Sequence, residues 1–151
     1  MVTKIDAARI AVEAGIPVVL TSADEADQAL AGVDTGTLFY AQGKRVGVRQ
    51  LWLAHATEPA GSVCVDAGAV RALVERGASL LAAGVTAARG TFQAGDPVDV
   101  LGPDGVVVAR GLVAFDAEEF TEIAGRSTDQ LDPDHAHEVI HRDDLVVLAP
   151  R

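Results

Sequence analysis

His137-Glu138-Val139-Ile140-His141 has the spacing of a His-Glu-x-x-His zinc site. On a helix, its two histidines lie four residues apart on one face to bind Zn²⁺, and Glu138 stands ready as general base. Asp132-Pro133 offers such a helix a start. Against this stand the β-branched pair inside the motif, the apolar run Leu145-Val146-Val147-Leu148 soon after it, and the lack of a third-ligand segment downstream. The expectation is no catalytic metal, with adventitious zinc binding by His135, His137 and His141 ranking above hydrolysis. Lys4 is the second candidate: phosphoryl transfer needs cations and backbone N–H donors around phosphates, and a lysine at a helix N-terminus supplies both. Without further context it is a solvated surface lysine. Glu118, Glu119 and Glu122 suggest a carboxylate cluster, but Phe120 and Ile123 on the opposite side make them a solvated helix face. Cys64 lies in an apolar alternating stretch with no companion His or basic residue close in sequence, so it is read as a buried structural thiol.

The elements that must position these residues change character along the chain. Residues 4–14 carry Ile5, Ala8, Ala11 and Val12 at helical spacing, with Thr3 as N-cap and Gly15 as stop. Ile16-Pro17-Val18-Val19-Leu20 reads as a strand covered on both faces, as in a parallel sheet, and Ser22 caps a short helix from Asp24 to Leu30. These first 40 residues look like part of a layered α/β domain whose other strands lie elsewhere, which leaves the strand Val18–Leu20 without a cover. Residues 41–59 read as a connector with one strand at Leu51-Trp52-Leu53, Trp52 being a packing residue.

From Ala60 onward, short strands and tight turns dominate. Ser62 to Asp66 is strand-like, Ala67 to Glu75 is a helix ending at Gly77, and residues 95–101 and 106–109 form a hairpin around Gly102-Pro103-Asp104-Gly105. Leu112 to Phe115 extends the sheet, Asp116 caps a helix through Ile123, and residues 145–148 close the fold. The pattern predicts a compact, partly closed β-barrel, mainly β with α.

Length and composition agree with a folded chain. The 151 residues are 49% apolar and 23% charged, which excludes disordered, collagen-like and disulfide-rich classes. Twelve Lys and Arg against 22 Asp and Glu give a net charge of −10, which repels phosphate backbones. Residues 60–151 hold seven Arg, no Lys and 15 acids, a net −8. Arg71, Arg76, Arg89, Arg110, Arg126 and Arg142 would have to converge on one face to hold RNA, whereas scattered arginines more often sit in surface pairs. The single cysteine excludes an intrachain disulfide, and no apolar run reaches membrane-span length. With no signal-peptide pattern at the start, a cytoplasmic location is the expectation.

Several motifs together resemble the C-terminal part of the glutamate 5-kinase family. Met1-x-Thr3-Lys4 followed by Ile5-Asp6-Ala7-Ala8 is similar to the end of that family's nucleotide-site motif. Gly36-Thr37-Leu38-Phe39 and Arg49-x-x-Trp52-Leu53 continue the match, although Gln50-Leu51 replace a pair that is often basic in the family. The later block is the more specific: Val65-Asp66-x-Gly68-Ala69, Ser79-Leu80-Leu81-x-x-Gly84-Val85, Gly90-x-Phe92-x-x-Gly95-Asp96, Ala109-Arg110-Gly111-Leu112 and Val139 to Leu145. The resemblance implies that residues 1–40 are the end of an amino-acid kinase domain, 41–59 a connector, and 60–151 a PUA domain with a small pseudo-barrel fold. For the intact enzyme it implies ATP and Mg²⁺ as cofactors, glutamate as substrate, proline as feedback ligand, and a homo-oligomer. Met1, Thr3 and Lys4 would then contact nucleotide. The chain alone is expected to be inactive and to bind no cofactor, because too little of the kinase site is present. The competing reading is a free-standing PUA module that binds RNA or a protein partner.

Overall fold

The computed structural model describes residues 2–41 and 47–148. The chain falls into two compact units, Met1–Leu51 and Trp52–Arg151.

In the first unit, α1 (Val2–Glu13) ends as its glycine requires. Gly15 adopts φ 76°, its N–H donates to Val12 O and that of Ile16 donates to Ala11 O, a Schellman closure. Thr3 lies inside the helix and is not its N-cap. Strand β1 (Val18–Leu20) pairs antiparallel with β2 (Thr37–Phe39), Val19 opposite Leu38. Both predictions for this strand thus change: it is half of an antiparallel pair, and one face is open, Val19 being 46% and Leu38 45% exposed. A three-residue apolar run has no periodicity with which to tell these arrangements apart. Gly36 is required beside this pair: it adopts φ 78°, and a Cβ there would lie 2.5 Å from Leu20 O. Between the strands lie a 3-10 turn (Ala23–Glu25) and α2 (Ala26–Leu30), and Ser22 makes no side-chain capping bond.

The stretch read as a strand around Leu51-Trp52-Leu53 is helical, belonging to α3 (Val48–His55). Three apolar residues in a row carry no periodicity that separates a short helix from a buried strand. Leu53 is fully buried, whereas Trp52 is 47% exposed.

The second unit is a five-stranded sheet of β3 (Gly61–Val65), β4 (Val85–Gly90), β5 (Pro97–Leu101), β6 (Val107–Leu112) and β7 (Leu145–Val147), in the order β4-β3-β5-β6-β7. Only β3 and β5 run parallel, and α4 (Ala67–Arg76) lies in the connection between them. Asp66 caps α4 by accepting from Ala69 N at 2.7 Å, and Gly77 ends it at φ 58°. Irregular register at Cys64/Val65 and Val100/Leu101 bends the sheet. The segments leading into its two edge strands meet at a bridge between Leu80 and Ile140, which curls the sheet toward closure. Inside sit Val63, Val98, Val100, Ile123, Val139 and Ile140, all fully buried. Of the stretch Leu112 to Phe115 expected to extend the sheet, Leu112 ends β6 and Val113 to Phe115 lie beyond it. The helix α5 (Phe120–Ile123) is shorter than predicted, because Asp116 caps no helix but accepts from Ala94 N across a turn.

Arg110 and Asp99 stand opposite each other on β6 and β5. Arg110 Nε donates to Asp99 Oδ1 at 2.7 Å and Nη1 donates to Thr57 O at 2.8 Å, both side chains being less than one-fifth exposed. Thr57 Oγ1 in turn donates to Leu53 O, so the end of α3 is tied to the sheet. Arg110→Ala leaves a half-buried carboxylate and a carbonyl without their donor, and is expected to destabilise this unit by about 1.5–3 kcal/mol in urea unfolding.

Candidate functional site

The N-terminus of α4 and the Leu80–Gly84 segment enclose a cleft of about 330 Å³. Two features let these elements approach. Asp66 N donates to Gly84 O at 3.0 Å, and Gly84 lies so near α4 that a Cβ there would sit 2.6 Å from Ala69 Cβ. The lining is small and apolar, through Gly68, Ala69, Leu73 and Leu80, with Asp66 and Ser79 as its polar side chains. Both are engaged: the Asp66 carboxylate by Ala69 N, and the Ser79 hydroxyl oxygen by Arg142 N at 3.1 Å. The chemistry available is therefore shape and apolar contact rather than phosphate binding, and among the described residues no arginine lines the cleft.

The residues singled out in sequence are dispersed. Met1 lies outside the described residues, and Thr3 and Lys4 are exposed in the first turn of α1, which contains no acid. The His-Glu-x-x-His motif is not helical, since Val139 and Ile140 point their side chains into the core and Ile140 forms the bridge. Its histidines do separate jobs. His137 stacks on Phe115 with ring centroids 4.5 Å apart, and His141 Nδ1 accepts from Asp143 N at 3.2 Å. Among the described residues, no group of three or more His, Cys, Asp or Glu is placed to hold a metal ion. Cys64 is only partly buried, because β3 turns it away from Val63 and Val65, the core-facing residues on either side.

Of the acids, Glu118 and Glu122 are exposed as expected, while Glu119 is not simply a solvated one. It accepts from Asp116 N at 2.6 Å and lies 3.0 Å from His135 Nε2. The backbone bond from Asp116 first, and the His135 bond second, hold its carboxyl below the usual glutamate range. The arginines divide as well. Arg110 is committed to Asp99, Arg142 lies 3.8 Å from Asp143, and Arg71, Arg76, Arg89 and Arg126 are exposed.

Sequence reasoning missed the cleft and the Asp99–Arg110 pair. The signals are in the sequence: Asp66-x-Gly68-Ala69 and Gly84 are motif residues, and they form the capped helix start and the close approach facing it.

The PUA domain family model matches residues 61–133. Glutamate 5-kinase of Streptomyces avermitilis is 58% identical over 99% of this chain, and that of Mycobacterium bovis 45% identical over all of it. The chain spans about two fifths of the length of these curated relatives, 41% and 40%. Among solved structures, a PUA domain from Aeropyrum pernix K1 is 28% identical, with 59% of this chain and 47% of that one covered at a TM-score of 0.40.

Proposed function

From a chain whose sequence is that of the C-terminal part of glutamate 5-kinases and whose residues 61–133 form a PUA domain, we propose that the protein acts within an ATP-dependent glutamate 5-kinase of proline biosynthesis, in the cytoplasm. The observation that carries this reading is overall identity of 45–58% in alignments that span both structural units, rather than the PUA domain alone. In it, residues 1–40 complete a kinase domain, 41–59 connect, and 60–151 serve as an accessory or regulatory module. Glutamate is the substrate and proline the feedback ligand of the intact homo-oligomer. No helix among the described residues is long and apolar enough to cross a membrane.

The exposed first turn of α1 fits a polyphosphate: it offers the Thr3 hydroxyl, the Lys4 ammonium and the positive end of a 12-residue helix, with no acid among them. Lys4 would offset charge on the phosphoryl group as it moves to the glutamate side-chain carboxylate. ATP supplies that phosphoryl group, and Mg²⁺ neutralises phosphate charge when bound. The share of the site assigned to this chain is phosphate contact, through Thr3, Lys4 and the start of α1.

A coupled ADP-release assay with ATP, Mg²⁺ and glutamate tests this. The 151-residue chain alone is expected to show no glutamate-dependent turnover. Joined to the preceding region of the Streptomyces avermitilis enzyme it should turn over, and Lys4→Ala in that fusion should lower kcat/KM for ATP roughly 10- to 100-fold, the worth of a charge-assisted phosphate contact. Turnover by the chain alone, or an unaffected Lys4→Ala fusion, contradicts the reading.

The net −8 of residues 60–151 and a cleft without arginine weigh against RNA as the ligand of the PUA domain. Fluorescence anisotropy with short structured RNA at low salt is expected to give no submicromolar, salt-sensitive binding. Such binding would favour the free-standing RNA module instead.

A further inference from the structure

Residues 131–140 form no helix or strand beyond the bridge at Ile140, yet the segment is fastened at two places. In its middle, His135 Nε2 meets Glu119 Oε1 at 3.0 Å, while the other Glu119 oxygen is held by Asp116 N. Phe115, 3% exposed, takes His137 nearly flat against it, with 19° between the rings, and His135 tilted at 44° with centroids 5.5 Å apart. At the far end, Val139 O accepts from Ala114 N at 2.9 Å, Val139 N donates to Leu80 O at 2.8 Å, and Leu80 N donates to Ile140 O at 2.9 Å. Leu80 lines the cleft. A continuous set of contacts therefore runs from the Glu119 carboxylate, through two histidines and one phenylalanine, to the cleft wall.

We propose that residues 131–140 are an acid-released strap: protonation of Glu119 unfastens His135 and loosens the Phe115 stack, and the freed segment no longer fixes Leu80 in the wall of the cleft. The ionisable groups on these elements are Asp116, Glu118 and Glu122 beside Glu119 in the chain, then Asp132, Asp134, His135, His137 and Glu138 on the strap, and Asp96 on the turn that Asp116 clasps. Of these, His135 and His137 attract the Glu119 charge. The Glu119 carboxyl is held below its ordinary value of about 4.3, so its contribution is fully present above that value and is lost as pH falls through the lower, folded-state value. A segment with so few regular backbone bonds opens at less cost than the sheet, which makes its release a local event.

Methyl NMR of the 151-residue chain between pH 7 and 3.5 tests this. Ile140 and Leu80 methyl resonances should shift with one midpoint, shared with the Glu119 side-chain carbonyl carbon and lying below the usual glutamate range, while Val63 and Val98 in the central strands stay still over that step. In Glu119→Gln the Ile140 and Leu80 shifts should vanish, and in His135→Ala these methyls should already sit near their acid positions at pH 7. Titration of Ile140 and Leu80 that persists in Glu119→Gln, or its absence from the unsubstituted chain, overturns the strap. So does a His135→Ala spectrum in which both residues keep their neutral-pH positions.

Discussion

Ile140→Ala is expected to remove about 3–5 kcal/mol from the stability of the Trp52–Arg151 unit, the upper part of the range for truncating a fully buried isoleucine. Three observations place it there. Ile140 has no exposed surface, its backbone closes the bridge with Leu80, and its side chain fills the space above Gly111. The surrounding groups have little freedom to collapse into the cavity, since Val139 and Leu80 are tied by backbone bonds on either side. Urea unfolding followed by circular dichroism should show a lower midpoint with an unchanged slope. Val106→Ala, at a residue of the same unit that is 46% exposed, is the control and should move stability by no more than about 0.5 kcal/mol. Equal losses for the two would mean that closure through Ile140 is not a principal support of the fold.

Gly111→Ala should be nearly as damaging, for the opposite reason. A Cβ at position 111 would lie 2.5 Å from Ile140 Cγ2 and 2.8 Å from Asp144 O, closer than real Cβ atoms come to either. One obstacle is a fully buried side chain and the other is backbone, so neither yields as the tip of a surface side chain would. The expected cost is about 1–3 kcal/mol of overpacking, with β6 and β7 forced apart where Gly111 faces Leu145. Gly95→Ala provides the comparison. Nothing lies within 4 Å of a Cβ there, and its φ of 93° makes any penalty one of backbone conformation alone. Thermal unfolding of both variants separates the causes: in an Ile140→Ala background, which lacks Cγ2, Gly111→Ala should cost less than it does alone, whereas the cost of Gly95→Ala should be unchanged.

Much of the barrel was legible in the sequence because its signals are local. Gly102-Pro103-Asp104-Gly105 specifies a tight turn between β5 and β6, Asp66 and Gly77 bracket α4, and the alternation Val98, Val100 marks one face of β5. The first unit was harder to read. Val18-Val19-Leu20 is too short for periodicity to act, so the direction and identity of its partner strand came only from the β1–β2 pairing. Leu51-Trp52-Leu53 failed in the same way. The His-Glu-x-x-His spacing misleads because metal binding needs helical φ and ψ at five consecutive residues, whereas Val139 and Ile140 gain more by entering the core.

By itself, the sequence determined which residues turn, cap and alternate, how the acidity is distributed, and, through its combined motifs, the family resemblance that the relatives bear out over 98–100% of the chain. The tertiary structure alone decided what those residues meet. It set Asp66 and Gly84 on the two sides of a cleft, paired Asp99 with Arg110, and gave Glu119, His135, His137 and Phe115 a common place although they span 23 positions of chain from Phe115 to His137. The division has a physical basis. Turns and caps are fixed by bonds between residues a few positions apart, which composition and spacing record. Contacts across a curled sheet depend on register and closure, which no short stretch of sequence encodes on its own.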